Sequence, residues 1–135
     1  MNVQFADSFV FLAILNPRDR RHAAAVEAMN RTSVPLVTTA WVLTELADGL
    51  CARNSRGVFL KIEERLRRDG RVTIVGASDE LYEAGLGLYR GRPDKDWSLT
   101  DCISFVIMAD REIREALTGD HHFEQNGFVA LLKQG

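Results

Sequence analysis

The chain has 135 residues, 46% of them hydrophobic, and a net charge of −2. That length suits one domain, expected to span residues 1–135, with enough apolar material for a sizeable core. The weak negative balance excludes bulk electrostatic attraction to nucleic acid and leaves only a local basic patch for that purpose.

Residues 3–6 predict a short strand ending at Asp7. The apolar stretch 8–15 follows and is broken by Asn16-Pro17-Arg18-Asp19. An Ala-rich helix is expected over 20–30, opened by Asp19 or His22. Residues 35–38 are the second strand, and Thr39 is a good N-cap for a helix over 40–53. Asn54-Ser55 caps a helix over 56–68, which Asp69-Gly70 ends. Residues 72–75 are the third strand. Ser78 caps a helix running through Tyr89, and 90–96 is a polar, basic loop around Pro93. A helix start and an apolar run come next, over 97–108. Ser98 and Asp101 have the spacing of a capping box, with Asp in place of the usual Glu. From Cys102 to Ala109 only Ser104 is polar, so this helix is expected to be buried nearly all round. Residues 116–118 are a fourth strand, a loop runs through Gly127, and 128–132 are a fifth strand. Short apolar strands alternating with helices predict an α/β fold, a parallel sheet of about five strands with helices on both faces. Ligands bind such sheets beyond the carboxyl ends of the strands.

Cys51 and Cys102 lack the spacing of metal ligands, and each lies in an apolar helical run. Both are expected as buried free thiols, which fits a reducing, cytoplasmic setting. No basic stretch precedes the first apolar residues, so no signal peptide is expected. No apolar run approaches the roughly 18 residues that would span a membrane.

Four acids fall at or near the crevice edge. Asp7 follows the first strand, and Asp120 follows the fourth after Thr118-Gly119. Glu45 lies about two turns into the helix leaving the second strand. On a wheel of about 100° per residue it stands roughly 200° from Leu43, so it faces either solvent or the crevice. Asp101 opens the apolar helix, where the dipole favours a carboxylate but burial of an unpaired charge is costly. Each acid has a plain alternative: Asp7 and Asp101 as caps, Glu45 as a solvated helix residue, Asp120 as a turn residue. Their convergence argues for a shared cleft. Two carboxylates about 5 Å apart repel by roughly 3 kcal/mol at an effective dielectric of about 20. Protonation or a divalent cation relieves that repulsion. Oxygen ligands without His or Cys favour Mg²⁺ or Mn²⁺ over Zn²⁺. Such an ion suits metal-assisted phosphodiester hydrolysis.

The stretches Phe5-Ala-Asp-Ser8, Thr44-Glu45-Leu46, Trp97-Ser-Leu-Thr-Asp-Cys102 and Leu117-Thr-Gly-Asp-His-His-Phe-Glu-Gln-Asn-Gly-Phe128 run from one end of the chain to the other. Together they resemble the PIN-domain family, and within it the small VapC-like toxins. The resemblance implies a PIN-like three-layer sandwich and a metal-dependent ribonuclease. Its acidic quartet would be Asp7, Glu45, Asp101 and Asp120, binding Mg²⁺ or Mn²⁺. It also implies an RNA substrate, a homodimer and a cognate antitoxin that blocks the site. One departure is Phe9, where the family often has a small residue. Ser8 and Thr100 offer hydroxyls to orient water at the metal, although Thr100 equally suits a structural role. Asp96 either adds an outer contact to the metal shell or pairs with Lys95 or Arg92.

An acidic cleft repels RNA, so phosphates need cations close by. Arg18, Arg20 and Arg21 form one such group; Arg90, Arg92 and Lys95 form another. For any single one, solvated loop charge is the plainer reading. His121 and His122 are expected on a loop surface, with contact to substrate or leaving group as the alternative. Trp41, Tyr82 and Tyr89 offer rings to stack a base, but Trp41 is expected in the core or at a dimer surface and the two tyrosines in the core. Four alternatives share the fold class. An RNA-processing nuclease without an antitoxin has the same chemistry. A receiver-type signalling module needs a lysine following a strand at the crevice, and none of the three lysines, Lys61, Lys95 and Lys133, supplies it. A non-catalytic Mg²⁺-binding module is the third. A phosphatase wants a second Asp two residues beyond its nucleophile, where Phe9 stands.

Overall fold

The computed structural model describes residues 2–133. Five strands form one all-parallel sheet: β1 (Gln4–Ala6), β2 (Leu36–Thr39), β3 (Val72–Val75), β4 (Glu115–Leu117) and β5 (Val129–Ala130). Seven helices are present among the described residues: α1 (Ser8–Leu15), α2 (His22–Met29), α3 (Ala40–Gly49), α4 (Arg56–Arg68), α5 (Asp79–Gly91), α6 (Leu99–Asp110) and α7 (His121–Gln125). Every residue of β1 and β2 is buried, so helices cover both faces of the sheet centre. This is the α/β sandwich expected from the alternation of elements.

The strand order is β3-β2-β1-β4-β5. The winding therefore reverses between β1 and β4, and their carboxyl ends open a crevice at that switch point. Pairing of Ala6 with Leu117 sets the register there. Thr38 Oγ1 donates to the Ala6 carbonyl at 2.8 Å, tying β2 to the end of β1.

Local chemistry sets the helix starts. Thr39 Oγ1 accepts from the Val42 amide at 3.0 Å, and Ser78 Oγ from the Leu81 amide at 3.2 Å. Ser98 and Asp101 form a complete capping box, with reciprocal bonds of 3.0 and 3.2 Å. Behind that cap, α6 buries Cys102, Ile103, Phe105, Ile107 and Met108. Gly85 lets α5 approach: a Cβ there would lie 2.3 Å from Ile103 Cγ1. Phe105 packs edge-on against Trp97 and Phe123, with ring centroids 5.1 and 4.9 Å apart.

Several expectations need correction. The third helix ends at Gly49 instead of running to Arg53, because Asp48-Gly49 is a poor helical pair. Cys51 therefore lies beyond it and is exposed. Cys102 is buried as expected, and burial pushes its thiol pKa up. Ser55 makes no side-chain cap. Tyr82 and Tyr89 are 42% and 50% exposed, since α5 turns Leu81, Gly85 and Leu88 inward instead. The stretch expected as a loop after Gly119 contains α7, anchored by the fully buried Phe123. The fifth strand is only two residues long. Among the described residues no helix is long and apolar enough to cross a membrane.

Candidate metal centre

Asp7 is the first residue after β1, and the β1–β4 register sets it beside Thr118. Thr118 Oγ1 donates to Asp7 Oδ2 at 3.0 Å. Asp7 occupies the N-cap position of α1, yet its carboxylate caps no amide there. It is only 6% exposed. Burial, with the charges of Asp101 and Glu45, pushes its pKa up to about 7, against the bond from Thr118.

Asp101 serves two purposes. Its Oδ2 accepts from the Ser98 amide, closing the capping box, and the same oxygen lies 3.3 Å from His122 Nδ1. Its pKa is also raised, first by burial and then by the Asp120 charge. Asp120 caps α7 by accepting from the His122 amide at 2.9 Å, and its Oδ1 lies 3.4 Å from His122 Nδ1. Glu45 reaches the same cleft from α3, where its Oε1 accepts from Ser8 Oγ at 2.6 Å. All four acids line one cleft of about 310 Å³, together with Ser8, Ser98 and Asp96. Among the described residues neither lysine nor arginine lines it. A receiver-type pocket is disfavoured on that ground, because the cation it needs does not face the acids.

The structure also sorts the remaining candidates. Ser8 touches Glu45, and Asp96 borders the cleft without an ion pair among the described residues. Arg92 pairs instead with Asp94, at 3.0 Å. Thr100 is absent from the lining, and its carbonyl accepts from Ser104 Oγ. Phe9 does border the cleft and packs over Gly119, where a Cβ would come within 2.6 Å of its ring. Arg21 stacks over that ring at 5.3 Å.

His122 is the residue that sequence reasoning misplaces. A loop surface is its expected position, but burial of Phe123 pulls its neighbour into the cleft. Its Nδ1 is buried, faces two carboxylates and has no hydrogen-bond partner among the described residues. An orphaned donor atom among acids fits a cation, and Asp120, His121 and His122 can present ligand atoms within 4.8 Å of one another. The donor set is then not purely oxygen. The signal available in the sequence is Asp120 as an N-cap, with Phe123 as the apolar anchor of a short helix.

The parallel sheet, its switch point and the acid-lined cleft define an α/β protein of acidic-cleft type. The PIN domain model matches residues 5–129, and the chain belongs to the PIN-domain family. Among solved structures it is similar to Mycobacterium tuberculosis VapC20, a sarcin-ricin loop cleaving toxin. That match has 23% identity, a TM-score of 0.78, and covers 93% of this chain and 95% of that one. It is also similar to FitAcB from Neisseria gonorrhoeae, with 17% identity, a TM-score of 0.62 and 95% of both chains covered. At such identities the likeness is one of fold. Comparison with curated proteins gives no match.

Proposed function

We propose that this protein is a metal-dependent endoribonuclease that hydrolyses RNA phosphodiester bonds, and the toxin of a VapBC-type toxin–antitoxin pair. One observation carries this: four carboxylates and an orphaned imidazole nitrogen converge at the switch point of the sheet. The similarity to VapC20 over nearly the whole of both chains supports the toxin side. The same reading includes a cognate antitoxin, a homodimer, a single domain and a cytoplasmic setting.

Asp7, Asp101, Asp120 and His122 would hold Mg²⁺ or Mn²⁺, with the imidazole nitrogen favouring Mn²⁺. When bound, the cation polarises the phosphoryl group and makes water more acidic. Ser8 fixes Glu45 through Oε1, which leaves Glu45 Oε2 as the carboxylate oxygen that accepts a proton. Glu45 is exposed enough to pass that proton to solvent. The packed core of α6 holds Asp101 rigidly, as a ligand in its first turn requires.

The test is a panel of defined RNAs incubated with EDTA, Mg²⁺ or Mn²⁺. Wild type is expected to cleave only with a cation. Asp101→Asn is expected to lose cleavage while its cation-free melting temperature stays level or rises. Cleavage by that variant at the wild-type rate overturns the metal centre. For the toxin role, the product of an adjacent small reading frame encoding a DNA-binding protein should bind the chain and inhibit it. A nuclease that no such product inhibits would be a processing enzyme instead.

A further inference from the structure

Beside the acid cleft, a second cavity of about 580 Å³ lies between α5 and the loop leading to α6. Asp96 lines both, so the two adjoin. We infer that this second cavity is a subsite for one nucleotide of single-stranded RNA next to the scissile phosphate. The inference rests on the ribonuclease reading and adds where the strand runs.

The lining supplies both halves of a nucleotide's chemistry. Arg90 and Lys95 face the cavity and form no ion pair among the described residues. Cations on α4 are different: Arg67 and Arg68 pair with Glu63 and Glu64. Arg92 is held by both oxygens of Asp94 and lies 5.1 Å over the Trp97 ring, so its charge is largely spent. Trp97 is 3% exposed and gives its indole N–H to Gln125, which makes it a floor and not a stacking surface. Tyr89 is the open aromatic ring, half exposed, with Leu86 and Pro93 beside it. A base can stack there while Arg90 and Lys95 meet phosphate. An unstacked base is needed for this contact, which selects single strands over duplex.

The experiment uses Asp101→Asn as the uncleaving background and a fluorescent single-stranded RNA roughly ten nucleotides long, within the ~4–16 of known single-strand sites. Adding Arg90→Ala with Lys95→Ala should weaken binding about tenfold or more near physiological salt. It should also reduce the slope of log K against log salt by about 1.4, at about 0.7 per lost phosphate contact. Tyr89→Ala should weaken binding about tenfold and leave the slope unchanged. Arg68→Ala controls for general loss of charge and should change neither. All these side chains are at the surface, and melting curves check that each variant folds. If wild type cleaves the RNA but the double variant binds it with unchanged affinity and slope, the subsite is refuted and the nuclease stands. If wild type neither binds nor cleaves single-stranded RNA, both are refuted.

Discussion

Replacing Asp7 with asparagine tests the electrostatics of the cleft directly. Raising a buried carboxyl from 3.8 to about 7 corresponds to about 4 kcal/mol between its two charge states. The folded chain keeps a proton that the unfolded chain releases above pH 3.8. Stability from this group is therefore complete below about pH 4, falls as pH rises through 4 to 7, and is flat above that. The amide of the Asp7→Asn variant is neutral throughout and lacks the decline. Asp101 titrates in both proteins, and its repulsion with Asp7 is one of the causes that raise the Asp7 pKa, so that interaction is already counted in the difference. Without cation, the variant and wild type should melt together near pH 4. At pH 8 the variant should be more stable by up to about 4 kcal/mol, on the order of 10 °C for a chain of this size. Calorimetry in EDTA at pH 4, 6 and 8 makes the measurement. Mn²⁺ should then stabilise wild type at pH 8 and scarcely affect the variant. Because the cation displaces the Asp7 proton, its apparent affinity for wild type should fall about tenfold per pH unit below 7. A stability difference equal at pH 4 and pH 8 would refute the assignment, as would a more stable wild type at pH 8.

Two further substitutions probe the supports of the site. His122→Ala should lower Mn²⁺ affinity by about tenfold and Mg²⁺ affinity less, since nitrogen ligands favour the transition ion. Titration calorimetry with each ion decides this, and equal losses for both would remove the imidazole from the ligand set. Gly85→Ala drives a Cβ to 2.3 Å from Ile103 Cγ1 and 3.2 Å from the Ile103 backbone. It should cost about 2 kcal/mol in denaturant unfolding despite Ala's better helix propensity, and reduce activity by shifting the helix that carries Asp101. An unchanged midpoint would show that α5 and α6 can move apart freely.

Much of the fold is legible in the sequence because its signals are local. β1 and β3 lie close to their expected bounds, and three of the helix starts follow from Thr39, Ser78 and Ser98, whose hydroxyls accept the expected amide bonds. The burial of α6 follows from a run with only Ser104 polar. Most of the misplacements have one cause. Residue type alone assigns Cys51, Tyr82 and Tyr89 to the core, but their exposure depends on where α3 stops and how α5 turns. His122 escapes because a five-residue helix has too few positions to show a period.

By itself, the sequence determined which residue types follow which strands, and therefore that Asp7 and Asp120 stand at carboxyl ends of a parallel sheet. It also determined that Asp101 caps a buried helix. Only the tertiary structure decided that β1 and β4 are neighbours, that Glu45 meets Ser8, and that His122 Nδ1 is trapped between Asp101 and Asp120. The physical reason is range. Caps and periodicities act over one or two turns, whereas the bond from Thr118 to Asp7 joins residues 111 positions apart and exists only once the sheet has paired.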